Sequence, residues 1–307
     1  MEAMILRIGT RQSPLARWQA NHIASLLVAQ GVEVEMIPIV TSGDVTAGPL
    51  GAVGSVGLFT KEIQRALIDR RCDLAVHSLK DLPTEHIDGL WLAAVPERED
   101  PRDCFIGRTS RTIQDLPPQA TVGTGSLRRA AQVRQKRPDV KVVDIRGNVD
   151  SRIKKLDDQL YDGILLASAG LRRLELSHRV THTFSLDEML PAVGQAALGL
   201  ETRADDQSTR AIVEKLIHYE THQAVLAERS LLRSLRGGCL APVAAHAVVH
   251  NKTLHLIAKV FSLDGSQVLE QNQSGPIETA ESIGENCALK LIAAGATELI
   301  DRARQAV

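Results

Sequence analysis

Three groups of residues carry the chemistry open to this sequence. The first is the run Cys72-Asp-Leu-Ala-Val-His-Ser-Leu-Lys-Asp-Leu-Pro-Thr84, where apolar Leu74, Ala75 and Val76 give way at once to His77, Ser78, Lys80 and Asp81 before Pro83 stops any regular element. Such an apolar run reads as a buried parallel strand. A carboxylate and an ammonium therefore fall just past a strand's carboxyl end, where open α/β sheets bind their ligands. The second group is a pattern that recurs three times. Thr121-Val122-Gly123 runs into Thr124-Gly125-Ser126-Leu127-Arg128-Arg129, Val140 to Ile145 into Arg146-Gly147-Asn148, and Ile164 to Ala167 into Ser168-Ala169-Gly170-Leu171-Arg172-Arg173. In a βα unit this aims the N–H groups of a helix start, with an arginine fork, at one anion. Three such turns on one sheet edge make a cleft for several carboxylates. The third group is one residue, Cys239, on the loop Arg236-Gly237-Gly238-Cys239-Leu240-Ala241-Pro242. A diglycine loop gives a thiol the mobility and nearby amides that favour a reacting thiolate.

Each group also has a plainer reading. Lys80 and Asp81 can be a solvated loop with a capping carboxylate, any single arginine can pair with Asp144, Asp150 or Asp157, and a lone loop cysteine can be inert. The recurrence of arginine after three strands favours the anion cleft, because pairing alone does not explain its placement. Charge distribution points the same way. Residues 102 to 180 hold 16 Lys and Arg against 9 Asp and Glu, whereas residues 1 to 96 hold 8 against 10 and residues 219 to 307 hold 8 against 9. Twelve of those 16 cations are Arg, the side chain suited to forked hydrogen bonding of carboxylate or phosphate. A small polyanionic ligand is therefore an option, and Gly-Thr-Gly-Ser-Leu-Arg is not a P-loop, because it lacks the GxxxxGK(S/T) spacing.

The elements that must position these residues follow a βα rhythm. Met4 to Gly9 reads as a strand, and Ser13-Pro14 as a helix cap followed by proline at the first helical position, which puts Arg11 and Ser13 in a strand-to-helix turn. Leu15, Trp18, His22, Ile23, Leu26 and Leu27 then form a helical stripe, with His22 expected in the core, until Gly31. Val32 to Val40 alternates as a second strand. Residues 43–57, with five glycines, read as a mobile flap. A helix from Lys61 to Asp69 leads to the strand at Leu74, and Leu90 to Val95 is another. The charged segment Pro96 to Arg102, with two prolines, reads as a hinge. Ala197 to Glu201 reads as a strand returning to the first sheet, which implies two chain crossings between lobes. Thr221 to Leu235 is an amphipathic helix, strands follow near 243–250, 254–261 and 267–271, and one long helix runs from about Ala280 to Arg304. The expected domains are 1–96 with 197–214, 102–190, and 219–307, the last of α+β type.

Composition limits the rest. A chain of 307 residues with 44% hydrophobic and 24% charged residues fills two or three cores. Aromatic residues make up only 3%, which leaves few stacking platforms for single-stranded nucleic acid. Cys72, Cys104, Cys239 and Cys287 show no metal-ligand rhythm, so no metal is expected. With no apolar run of membrane-spanning length and no h-region at the N-terminus, the expectation is a cytoplasmic protein with reduced thiols, bound to neither membrane nor nucleic acid.

Six segments, in order, resemble the signatures of one family. Thr10-Arg11-Gln12-Ser13-Pro14-Leu15-Ala16, His77-Ser78-Leu79-Lys80-Asp81-Leu82-Pro83, Ser126-Leu127-Arg128-Arg129, Arg146-Gly147-Asn148-Val149, Leu190-Pro191-Ala192-Val193-Gly194-Gln195 and Gly237-Gly238-Cys239 look like the porphobilinogen deaminases, also called hydroxymethylbilane synthases. The resemblance implies an α/β fold of three domains: two lobes like type II periplasmic binding proteins with a double crossover, and a smaller C-terminal α+β domain. It implies a transferase that joins four porphobilinogen molecules head to tail, releasing ammonia, for haem and related pigments. It implies a dipyrromethane cofactor held as a thioether on Cys239, with Lys80, Thr124, Ser126, Arg128 and Arg129 holding the cofactor's acid groups. Arg11, Ser13, Phe59, Arg146, Arg152, Arg173 and Gln195 would receive the substrate. Asp81 matches the catalytic aspartate, whose carboxylate would accept pyrrole N–H bonds, stabilise developing positive charge and relay a proton. A monomer is expected.

This chain departs from the family pattern in the flap, which has Ala52 and Val56 and no lysine until Lys61. Gly125 stands in place of a common serine and Ala196 in place of a common glycine. Two lobes with a hinge and an arginine-lined cleft would also suit a solute-binding protein or the effector domain of a transcription regulator. The sequence shows neither the signal peptide of the one nor the N-terminal helix-turn-helix of the other. A homologue that binds tetrapyrroles without turnover is a third reading, which the presence of both Asp81 and Cys239 disfavours.

Overall fold

The computed structural model describes residues 5–41, 60–238 and 241–306. Backbone contacts divide the chain into unit 1, Met1–Glu99 with Ala196–His222, and unit 2, Asp100–Gln195 with Gln223–Val307.

Unit 1 is organised on β1 (Ile5–Thr10), β2 (Glu33–Pro38), β3 (Leu74–Ser78), β4 (Leu90–Ala94) and β10 (Leu198–Arg203), in the order β2-β1-β3-β10-β4. β1 pairs in parallel with β2 and β3, and β10 lies antiparallel between β3 and β4. All six residues of β10 are buried, as the centre of a sheet covered on both faces requires. On one face, Leu74 and Val76 pack with Ala20, Ile23 and Leu27 of α1 (Pro14–Val28). On the other, Ala75 packs with Ile63, Ala66 and Leu67 of α2 (Lys61–Ile68). Ser13 caps α1 as expected, its hydroxyl accepting the Ala16 N–H. The expected stripe is corrected in part: Ile23 and Leu27 are buried, but the rest of the buried face is Gln19 and Ala20. Trp18 and His22 are exposed, stacked on each other with ring centroids 5.1 Å apart, and Gln19 takes the buried position. Hydrophobic periodicity missed this because the residue facing the core there is polar. α6 (Gln207–Val213) completes the unit.

Unit 2 contains β5 (Asp103–Gly107), β6 (Thr121–Gly123), β7 (Lys141–Val143), β8 (Gly163–Ala167) and β9 (His182–Thr183), in the order β7-β6-β8-β5-β9. β6 is parallel to β7 and β8, whereas β5 is antiparallel to β8. The plan of unit 1 is thus repeated: three parallel strands, then one antiparallel strand contributed just after the chain has passed between units. β5 and β9 were not expected from the sequence, since three apolar residues beside a charged, proline-rich segment carry little periodicity. The helices here are α3 (Leu127–Lys136), α4 (Val149–Asp157) and α5 (Ser168–Arg173).

The same unit holds an antiparallel sheet of β11 (Val243–His250), β12 (Thr253–Phe261) and β13 (Val268–Pro276). Its inner face, including Ala245, Ala247, Leu254 and Leu256, packs on α7 (Tyr219–Ser234), α8 (Ala280–Ala293) and α9 (Ala296–Gln305) through Ala227, Leu231, Ile283, Leu291 and Ile300. The single C-terminal helix expected from the sequence is two helices. Gly295, at φ +102°, turns the chain between them in a conformation that favours glycine. The β12–β13 turn lies against α3. A Cβ on Gly265 would stand 2.5 Å from the Ala131 carbonyl oxygen, and Arg134 Nη1 donates to the Leu263 carbonyl at 2.7 Å.

Candidate active site

At its end β3 tightens into a single 3-10 turn, Leu79–Asp81, so Lys80 and Asp81 sit on a short regular element rather than a free loop. Both faces of the strand end are held. Gln19 Nε2 of α1 donates to Ser78 Oγ at 2.9 Å. On the opposite face His77 Nε2 lies 3.1 Å from Glu201 Oε2, and Gln64 Nε2 of α2 donates to Glu201 Oε1 at 3.1 Å. His77, Glu201, Gln19 and Gln64 are buried, while Lys80 and Asp81 are only half-buried. The Leu79 N–H donates to the Ala197 carbonyl at 3.0 Å, tying the turn to the segment that enters β10. A fixed carboxylate therefore stands at the edge of water. Arg11 and Ser13, also half-buried, follow β1, the parallel neighbour of β3, at the same edge of this sheet.

In unit 2, Thr124 Oγ1 accepts the Ser126 N–H at 3.2 Å and Ser126 Oγ accepts the Arg129 N–H at 3.4 Å, which starts α3 in a fixed direction. Arg128 and Arg129 follow in its first turn and point inward, 3% and 5% exposed. Both meet Asp103, the first residue of β5, which has no exposed surface. Arg128 Nη1 and Nη2 donate to its carboxylate at 2.7 and 3.3 Å, and Arg129 Nε donates at 2.8 Å with Nη2 in ionic contact at 2.7 Å. Gln195 Nε2 adds a further donor at 3.0 Å. Leu190 and Leu165 carbonyls take the outer N–H groups of Arg128 and Arg129 at 2.7 and 3.1 Å. Burial opposes ionisation of Asp103, but the two guanidiniums prevail and hold it well below the usual carboxylate range. Two cations against one anion leave the cluster with one positive charge in excess. Arg128 Nε is buried with no partner among the protein's own atoms.

The other expected arginines differ from one another. Arg146 Nε donates to Asp144 at 2.6 Å in a half-exposed pair, and Lys155 Nζ donates to the Arg146 carbonyl at 2.9 Å. Arg152 Nε reaches back to the Gly147 carbonyl at 2.8 Å. Arg172 and Arg173 lie in the last turn of α5, not at a strand end, which corrects the third of the three repeated turns. Arg173 is buried, and Arg172 pairs with Asp100 at 3.1 Å. Arg102, Arg108, Arg137 and Arg179 also pair with aspartates of their own unit, so the basic count of this segment overstates its free charge. Gln195, expected at the substrate, is fully buried with its carboxamide engaged inside unit 2.

Cys239, Phe59 and the flap 43–57 lie outside the described residues. The approach to Cys239 is visible: after α7, Arg236 and Gly238 adopt φ of +51° and +59°, and Arg304 of α9 donates to the Arg236 carbonyl. The other three thiols are buried, and burial pushes those of Cys72 and Cys287 up to about 11, which keeps them protonated at neutral pH. Among the described residues no group of three or more His, Cys, Asp or Glu is placed to hold a metal ion, and no helix is long and apolar enough to cross a membrane. Sequence reasoning missed Asp103, Glu201, Gln19 and Gln64. Of these, Asp103 carried a usable signal, an acid directly before the apolar Cys104-Phe105-Ile106.

Two α/β sheets of one plan, each completed by an antiparallel strand that follows a chain passage, with a third, antiparallel sheet domain, define a protein of type II periplasmic-binding-protein architecture with a C-terminal extension. Some solved structures are similar. The methionine-binding protein MetQ is 11% identical with a TM-score of 0.46, over 73% of this chain and 93% of that one. An ABC-transporter periplasmic substrate-binding protein from Coxiella burnetii is 14% identical with a TM-score of 0.44, over 73% and 94%. The family is given by the sequence itself. The model described as "Porphobilinogen deaminase, dipyromethane cofactor binding domain" matches residues 6–211, and "Porphobilinogen deaminase, C-terminal domain" matches residues 222–293. The chain belongs to the porphobilinogen deaminase family, transferases that polymerise porphobilinogen into hydroxymethylbilane on a dipyrromethane cofactor.

Proposed function

We propose that this chain performs the family reaction with Asp81 as its catalytic carboxylate and Cys239 as the cofactor-bearing thiol, acting as a cytoplasmic monomer that binds neither nucleic acid nor membrane. The proposed domains are 1–96 with 197–214, 102–190 and 219–307. The observation that carries the assignment is the Arg128–Arg129–Asp103 cluster, whose surplus positive charge and unpartnered Arg128 Nε suit the acetate and propionate groups of a dipyrromethane. Lys80, Thr124 and Ser126 are assigned to the cofactor's acid groups as well. When attached, the group supplies the free pyrrole α-carbon at which the chain grows.

The protein's own residues do the rest. Asp81, short and fixed on its turn, accepts the pyrrole N–H of incoming porphobilinogen and stabilises the positive charge that develops as ammonia departs. Its carboxylate oxygens then hold the proton released when the new carbon–carbon bond forms. Arg11, Ser13, Phe59, Arg146, Arg152 and Arg173 receive the substrate's carboxylates and ring. The Arg146–Asp144 pair is half-exposed and so worth little, which lets a substrate carboxylate exchange with Asp144 at small cost.

Intact-protein mass tests the cofactor. The purified protein is expected to carry a covalent dipyrrole that Cys239→Ser lacks, together with all turnover, while Cys72→Ser retains both; normal turnover by the Cys239 variant would refute the assignment. Asp81→Asn is expected to lose at least ~10²-fold in turnover with an unchanged melting temperature. A rate within a few fold of the parent would move catalysis elsewhere.

A further inference from the structure

We infer that Asp103 and Gln195 are positioning residues for the Arg128–Arg129 pair, and that Gln195 ties this pair to both chain passages at residues 99–100 and 195–196. The inference rests on the reading that the two arginines hold the cofactor's acid groups, and it adds what aims them.

Register gives the first argument. Asp103 opens β5 opposite Ala167, the last residue of β8, just as Leu198 opens β10 opposite Ser78, the last residue of β3. The two places correspond in the shared sheet plan. In unit 1 a leucine fills that place within the apolar core, so the architecture itself has no need of a carboxylate there. Asp103 answers to the arginines that follow β6. Five nitrogen atoms converge on it, four donating hydrogen bonds and Arg129 Nη2 in ionic contact: two from Arg128, two from Arg129 and one from Gln195. Neither guanidinium can swing without breaking a buried ionic contact.

Gln195 gives the second. Its Nε2 donates to the Pro101 carbonyl at 2.7 Å as well as to Asp103, and its Oε1 lies 3.5 Å from Arg129 Nη2. One carboxamide thus joins the segment entering unit 2, the segment leaving it, and the cationic pair. The backbone on either side is locked. Gly194 and Ala196 both adopt positive φ, +66° and +72°, and the Gly194 N–H donates at 2.7 Å to Glu228, a fully buried carboxylate that also accepts the Ala247 N–H at 2.8 Å. A ligand carboxylate that draws an N–H of Arg129 away from Asp103 or Gln195 therefore pulls on the peptides at both passages. Gln195 acts through Arg129, without touching substrate.

Asp103→Asn, Asp103→Glu and Gln195→Leu in the cofactor-bearing enzyme test this, each assayed well below its own melting temperature. Expected for Asp103→Asn is a kcat lower by on the order of tenfold or more, with partly elongated chains accumulating on the enzyme as a ladder of masses one pyrrole apart, and partial recovery in Asp103→Glu. Gln195→Leu, which leaves the Asp103 ion pairs in place, is expected to lower kcat several-fold at unchanged KM, since it removes no substrate contact. A raised KM with kcat retained in Gln195→Leu would make it a substrate ligand and overturn the inference. So would parental kcat and mass ladder in Asp103→Asn; if that variant does not fold, Gln195→Leu decides. Absence of the dipyrrole from the unmodified protein would overturn the proposed function instead, and is seen before any variant is made.

Discussion

The two sheets begin their chemistry with nearly the same words. β1 closes on Gly9-Thr10 and leads through a turn to Ser13; β6 closes on Gly123, and Thr124 leads through a turn to Ser126. Both threonines are buried and both serines cap a helix. Both glycines are required by close approach, because a Cβ would stand 2.8 Å from Cys72 Sγ in one and 2.8 Å from the Tyr161 ring in the other. The divergence follows the cap. Unit 1 continues Pro14-Leu15-Ala16 and leaves its cation, Arg11, half-buried in the turn, whereas unit 2 continues Leu127-Arg128-Arg129 and buries both cations on Asp103. The third strands differ in the same sense: β3 delivers Asp81 to the water's edge, and β8 delivers Arg173 into a buried helix end. One backbone plan thus serves two tasks. The carboxylate of unit 1 is left half-buried, and the two guanidiniums of unit 2 are oriented by a buried counter-ion.

The comparison breaks most sharply if the carboxylate is moved. Leu198→Asp puts an acid into the apolar core of unit 1, and is expected to cost about 3–5 kcal/mol of stability at neutral pH in denaturant titrations. A lone buried Asp has its folded pKa raised above the unfolded ~3.9. The native state then binds the extra proton, so the loss should shrink as pH falls from 8 to 5; a pH-independent loss would mean that shape rather than charge is at fault. Next come the arginines. Arg173→Leu and Arg146→Leu are expected to weaken substrate or intermediate binding by ~1.5–3 kcal/mol. Arg302→Leu, exposed on α9, should change it by less than ~0.5 kcal/mol. Equal behaviour of all three in the mass ladder would reduce the unit 2 arginines to surface charge. A smaller effect than at Arg146 and Arg173, and of opposite sign, is expected at Ala196, whose φ of +72° is a conformation that costs a side chain about 1 kcal/mol, so Ala196→Gly should raise stability by up to that amount in thermal or chemical melts.

What could be read from the sequence was what is local. The Ser13-Pro14 cap, the βα rhythm and the polar run after Val76 each depend on neighbours within a few residues, and all are found in the structure. The misreadings share a different cause. Gln19 faces the core because Ser78 waits 59 positions away, and Glu201 is buried because Gln64 and His77 lie 137 and 124 positions away. No periodicity registers such partners. The C-terminal helix read as continuous because Leu291 and Leu299 keep a helical spacing across Gly295, and only the backbone there shows the break. Asp103, just past the charged hinge of Pro96 to Arg102, drew no reading of its own, since its two arginines are 25 and 26 positions further on.

The interior place of β10, between β3 and β4, also sets an order of events during synthesis. The gap between β3 and β4 is filled by residues 198–203, which leave the ribosome about a hundred residues after Ala94. At roughly 5–20 residues per second the nascent chain spends some 5–20 s with the facing edges of β3 and β4 unpaired. β5, by contrast, emerges before the strands it will join, β8 and β9. The sheet that bears Asp81 is thus begun first and closed late, and through that interval its open middle is the part of the newborn chain most in need of a chaperone.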